Sequence, residues 1–264
     1  MLSNMRTVLN LTAVVVALAA NACAVRGAAP VETSAAKLSC AGGSIQSAAD
    51  AALYGACDSV NGDLFVSASE LTDLSALGRL RSVSGKLEIS GNAQLDELSG
   101  LERLTHVGSL SIRDNADLDD VSALGNLRSA ASVVISGNGD LASLAGLQAL
   151  TRLDALVIEH NGIYDAAGLS GLTDVGSLVI EGNAKLNSLH GLRSLAHARS
   201  VEITGNPRLY ALGMLPALKH VDHDVVVNHN RGLSNLDVRQ LLGRIEHGLS
   251  PSTDSVARLE ASLH

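Results

Sequence analysis

The sequence predicts an α/β repeat solenoid, a parallel β-sheet that grows by one strand per coil of about 23 residues. Three observations carry this. An asparagine recurs in register at Asn92, Asn115, Asn138, Asn161, Asn183, Asn206 and Asn230, in steps of 23, 23, 23, 22, 23 and 24 residues. Ahead of each asparagine stands an apolar–variable–apolar triplet, as in Leu110-Ser111-Ile112. Behind most of them the apolar spacing changes to three, as in Leu118, Val121, Leu124 and Leu127.

Each coil follows from these columns. The triplets place Leu87/Ile89, Leu110/Ile112, Val133/Ile135, Leu156/Ile158, Leu178/Ile180, Val201/Ile203 and Val225/Val227 on one side of a strand, the period-two pattern of a half-buried sheet. An earlier coil, Leu64-Phe65-Val66, carries Ser69 at the asparagine position, giving about eight coils. Asparagine at the turn can satisfy buried backbone groups and stack into a ladder. Spacing by three suits an irregular or 3₁₀-like return segment, whose eclipsed side chains fill the opposite wall. The Asn161-Gly162-Ile163 turn lacks one residue and the Val221–Val225 stretch gains one, both tolerable as local irregularities.

Both ends of such an array need caps. Ser47-Ala48-Ala49-Asp50 predicts the start of a short helix ending near Gly55. After Ser234-Asn235-Leu236-Asp237, the residues Val238, Leu241, Leu242 and Ile245 fall at helical spacing and predict a closing helix.

The N-terminus predicts export. Residues 1–22 hold one basic residue, Arg6, before the apolar run 11–20, too short for a membrane span but suited to a signal peptide. Two processing routes stay open: ordinary signal-peptidase cleavage after the Ala22-Cys23-Ala24 triplet, leaving Val25 first, or lipidation of Cys23 as in a bacterial lipoprotein. Cys40 and Cys57 lie 17 residues apart and can pair, leaving Cys23 as the odd thiol, which favours the lipid anchor. The expected organisation is a signal peptide (1–22), a flexible tether (23–39), the solenoid with its caps (40–248) and a tail (249–264).

These residues resemble the receptor L-domain family, the right-handed leucine-rich solenoid of insulin- and EGF-type receptor ectodomains. The likeness is closer to bacterial secreted proteins built from that unit. It rests on Cys40, Ile45, the first helix, Cys57, Gly62-Asp63-Leu64 and the repeated Val-x-Gly-x-Leu-x-Ile-x-x-Asn units such as 83–92, and covers roughly residues 40–246. The resemblance implies a first helix and cysteine pair that cap the solenoid. With no cysteine-rich module, second L domain or kinase region, it implies no receptor signalling.

Function is expected on the exposed sheet face. Its first outward column reads Phe65, Glu88, Ser111, Val134, Val157, Val179, Glu202 and Val226; the second includes Arg113, Ser136, Glu159 and Glu181. The stripe Val134, Val157 and Val179, with Glu159, Glu181 and Glu202 beside it, is the candidate surface for a protein partner carrying basic residues. β-branched residues also simply favour strands, so the bland alternative is an envelope protein with no specific ligand. Stacked sugars are disfavoured on this face for want of aromatic rings.

Other chemistry finds little support. Zinc-protease, Walker A and nucleophile-elbow motifs are missing, so no enzyme activity and no cofactor are expected. His220, His223 and His229 with Asp222 and Asp224 are the densest potential ligands, but alternation along a strand turns them to opposite faces, and no metal is expected. Gly137-Asn138-Gly139-Asp140 resembles part of a calcium-binding repeat but occurs once. His106, His197 and His220 share a column with Ser129, Arg152 and Asp174 that reads as a solvent-facing corner. A net charge of −8 argues against nucleic acid. Membrane contact is expected only through Cys23, and the protein is expected to be an exported monomer.

Overall fold

The computed structural model describes residues 37–68, 70–212 and 215–247. The expected signal peptide, Cys23, nearly all of the tether, Ser69 and the 249–264 tail lie outside these residues.

The coils stack as expected. The sheet runs β1 (Ser39–Ile45), β2 (Ser59–Val66), β3 (Ser82–Ser90), β4 (His106–Arg113), β5 (Ser132–Ser136), β6 (Arg152–Glu159), β7 (Asp174–Glu181) and β8 (His197–Thr204). At its end stand β9 (His220–Val221), β10 (Val225–Asn228) and β11 (Glu246–His247). Successive strands up to β8 pair in sequence order, β9 and β10 both pair with β8, β11 pairs with β9, and every pairing is parallel. The residue added between Val221 and Val225 falls in the break between β9 and β10.

The core is one continuous apolar column stack. Leu87, Ile89, Val133, Ile135, Leu156, Leu178 and Ile203 are fully buried from the sheet side. Leu95, Leu101, Leu104, Leu118, Leu124 and Leu127 are fully buried from the opposite wall. That wall contains single 3₁₀ turns at Ser75–Leu77, Ser122–Leu124, Ala167–Leu169 and His190–Leu192, as the spacing by three predicts. Coils approach closely there. Gly100 and Gly146 have φ of 110° and 115°, and a Cβ at either would strike the backbone carbonyl of the preceding coil, Leu74 or Val121.

The asparagine ladder is complete from Asn92 to Asn230. From Asn115 onward, each Oδ1 accepts the backbone N–H of the preceding coil's asparagine at 2.9–3.2 Å. Each Nδ2 from Asn92 onward donates to a strand carbonyl of the preceding coil at 2.7–3.1 Å. Asn92 Oδ1 closes the near end by accepting Ala68 N–H at 2.7 Å. The residue just before each asparagine is left-handed in every coil: Gly91, Asp114, Gly137, His160, Gly182, Gly205 and His229 have φ of 53–72°. Asn138 and Gly137, part of the calcium-like tetrad, are therefore ladder and turn residues.

Both caps form. Helix α1 (Ala48–Tyr54) starts at Ser47, whose hydroxyl accepts Asp50 N–H, and ends at Gly55. Cys40 and Cys57 are disulfide-bonded with Cα atoms 5.8 Å apart, joining β1 to the segment behind the helix. No strand is expected from the sequence ahead of the first coil, yet β1 extends the sheet there and begins at the last residue of the expected tether. Its Ser-Cys-Ala-Gly-Gly-Ser stretch lacks the repeat signature, and its place depends on pairing with β2 and on the disulfide. Asp58 adds a tie: its carboxylate accepts Leu38 N–H at 3.0 Å and pairs with Arg79 at 3.1 Å. Helix α2 (Asn235–Leu242) closes the other end, with a reciprocal capping box between Ser234 and Asp237 and with Val238 and Leu241 buried. No helix among the described residues is long and apolar enough to cross a membrane.

Candidate functional face

The strand register brings the predicted outward residues into rows. Ser111, Val134, Val157, Val179 and Glu202 are successive partners from β4 to β8. Ser136, Glu159, Glu181 and Thr204 form the neighbouring row. The three valines are half-buried, against full burial of Leu156 and Ile158 on the other side of the same strand. The faces are thus assigned as the alternation predicts, except that Ser111 and Thr204, expected to be exposed in these rows, are buried.

A third row went unread in the sequence. Ser109, Ser132, Ala155, Ser177 and Ser200 are partners along the other flank of the valines. All are small, so this row sets no long side chain against the apolar stripe. The signal was available, since these residues recur two positions ahead of the valine column at the same period.

Charge is unevenly compensated across the face. Near the first coils, Glu88 is paired with Lys86 and accepts a hydrogen bond from Ser90. Lys86 lowers the Glu88 pKa below its ordinary value, helped by Ser90 and by the field of Arg113. The Arg113 guanidinium donates to Ser111 at 3.0 Å, lying over the near end of the valine stripe. At the far end, Glu159 and Glu181 are direct partners in the register, and Glu202 follows Val179 in the adjacent row. Among the described residues no cation lies within ion-pairing distance of these three carboxylates. Like charges set opposite one another on neighbouring strands destabilise a sheet.

The corner column also stands as predicted. Arg152, Asp174, His197 and His220 are successive partners, and His106 bridges Ser129. A shallow groove of about 520 Å³ follows this corner over a floor of Gly108, Ala130, Ala131 and Gly176. Its charges largely serve one another: Arg152 reaches Asp174 at 3.5 Å and His197 reaches Asp222 at 3.1 Å. The five residues considered for metal are dispersed. Asp222 turns to His197, and His229 occupies the left-handed turn beside Asn228. Among the described residues no three His, Cys, Asp or Glu side chains gather at a metal-binding spacing.

The class these observations define is a capped, leucine-rich parallel β-solenoid whose face is apolar along one row and acidic along the next. The sequence matches no protein-family model and no curated protein. Among solved structures it is similar to an internalin (inlF) from Listeria monocytogenes str. 4b F2365, at 16% identity over 78% of each chain with a TM-score of 0.32. The fold assignment rests on the strand register and not on that likeness.

Proposed function

We propose that this protein is a non-catalytic binding module of the cell exterior or envelope that captures a basic protein partner on its exposed sheet face. The observation that carries the reading is the Val134–Val157–Val179 row lying beside the uncompensated Glu159, Glu181 and Glu202. Apolar surface drives association, while the carboxylates select and orient a partner bearing Lys or Arg. The small flanking row leaves room for such a partner to lie against the valines. The ladder asparagines are engaged in holding coils together, and the rows of the face offer apolar and acidic side chains suited to binding.

Export is part of the reading. It is supported by the Cys40–Cys57 disulfide, a bond characteristic of oxidising compartments, and by the apolar N-terminal run. In this reading a monomeric solenoid is anchored through Cys23 by the residues that precede β1; intact mass of the mature protein checks the anchor, by the presence or absence of acyl chains on Cys23. The face itself is tested with Val157→Lys/Val179→Lys. The double variant is expected to keep the wild-type far-ultraviolet circular dichroism and to lose capture of the partner. Undiminished capture removes this surface from consideration.

A further inference from the structure

The chain has three tyrosines, one phenylalanine and no tryptophan, and two of those four rings stand in solvent on one ridge. Tyr164 and Tyr210 are 48% and 56% exposed. They lie away from the sheet face, where the chain leaves the asparagine turn. Backbone hydrogen bonds place them in one column: Asn187 N–H donates to Tyr164 C=O at 2.9 Å, and Tyr210 N–H donates to Asn187 C=O at 3.4 Å. Earlier coils carry Asp96, Asp119 and Ala142 at this position, all exposed, so the core demands nothing apolar there. Lys185 lies over the Tyr164 ring at 5.8 Å from its centre, and Arg208 is exposed two residues before Tyr210.

We infer that this ridge is a binding site for an extended β-linked glycan, with Tyr164 and Tyr210 stacking on alternate sugar rings. A pyranose ring with equatorial substituents has an apolar C–H face and a hydroxyl-bearing edge. It therefore suits an exposed ring flanked by polar groups better than an apolar pocket. Two coil steps separate the tyrosines by about 9.6 Å at ~4.8 Å per strand. In a β-1,4-linked chain every second ring presents the same face, and its two-ring repeat is close to that length. Asn187 lies between the two stacking positions with an amide that can donate to and accept from the hydroxyls of the intervening sugar. Lys185 and Arg208 give an otherwise acidic protein a cationic rim here, which favours chains that carry carboxylates.

The absence of tryptophan makes the test direct, because tyrosine emission then reports on only three residues. The full exported chain is titrated with chitohexaose, cellohexaose and a β-1,4-linked mannuronic acid hexamer while tyrosine fluorescence is followed. At least one is expected to give a saturable change, with the carboxylated chain bound most tightly at low salt. Tyr164→Ala and Tyr210→Ala should each weaken that binding about tenfold, as loss of one aromatic stacking contact does. Tyr54→Phe, on the half-buried cap tyrosine, should leave the affinity unchanged. Val157→Lys/Val179→Lys should also leave it unchanged, which separates this site from the sheet face. No saturable response to any of the three glycans overturns the inference. So does a response indifferent to both tyrosine substitutions, or a tyrosine dependence seen only in capture of a protein.

Discussion

Replacing Asn138 by alanine tests what holds the coils in register. The side chain touches three successive coils. Its Oδ1 accepts Asn115 N–H at 3.1 Å and Asn115 Nδ2 at 3.2 Å, while its Nδ2 donates to Ile112 C=O at 3.1 Å and Asn161 Oδ1 at 3.1 Å. Asn138 is fully buried. Truncation deprives Asn115 N–H of its acceptor and Ile112 C=O of this donor, whereas Asn115 Nδ2 keeps Ile89 C=O. The orphaned Asn115 N–H costs about 1–3 kcal/mol and the two lost Nδ2 hydrogen bonds about 0.5–1.5 kcal/mol each, which puts the loss at roughly 2–6 kcal/mol, a large part of an ordinary domain's stability. Because each coil contacts only its neighbours, a broken rung in the middle also uncouples the two halves and should broaden the transition. Urea unfolding followed by circular dichroism measures both. Asp140→Ala, exposed on the same turn, serves as the control and should stay within about 0.5 kcal/mol of wild type. A loss below ~1 kcal/mol for Asn138→Ala with unchanged cooperativity refutes the ladder as a stabilising element.

Three further perturbations follow from the same structure. Leu156→Ala should cost ~2–5 kcal/mol in urea unfolding, while Val157→Ala on the other side of the strand should cost well under half of that; a reversed order would reverse the two faces. His160→Gly should raise the unfolding midpoint, because His160 holds φ of 55°, where four of the seven coils use glycine; relief of the left-handed strain is worth about 1 kcal/mol, and a lowered midpoint contradicts it. Asp50 is held below its ordinary pKa of 3.8 by Gln46 N–H and then Ser47, and Asp58 by Leu38 N–H and then Arg79. A depressed carboxyl stabilises the fold fully above its unfolded value, and that contribution disappears as pH falls through the folded value. The N-terminal cap should therefore loosen below about pH 4, seen as faster amide exchange in α1, and Asp58→Asn should lessen the pH dependence.

Most of the fold was legible because each coil repeats the same physical requirement. A leucine or valine two residues before an isoleucine must face the core, an asparagine must satisfy the turn, and seven copies in register leave one arrangement. What the repeat does not encode was harder to read. Strand β1 has neither the apolar alternation nor the asparagine, and only its disulfide and its pairing with β2 put it in the sheet. The division of the last coil into β9 and β10 was visible as one added residue, but not as two separate strands. On the candidate face, the valine and glutamate rows were readable from alternation alone. Their unequal compensation was not: Glu88 shares its surroundings with Lys86 and Arg113, whereas Glu159 faces Glu181, a contrast that needs side-chain positions. Tyr164 and Tyr210 escaped notice because they stand at different offsets from the asparagine landmark, three residues after Asn161 and four after Asn206, although a count by 23 from Tyr164 reaches Asn187 and then Tyr210.

Site-specific photo-crosslinking tests the binding face most directly. A benzoylphenylalanine is placed at position 157, at position 179, or at Gln148, which is exposed on the return wall. Irradiation in the native envelope should join the same protein to positions 157 and 179 and nothing to position 148, with the adduct fading as salt rises. An adduct formed only from position 148, or none from 157 and 179, contradicts the assignment of the valine–glutamate face as the docking surface.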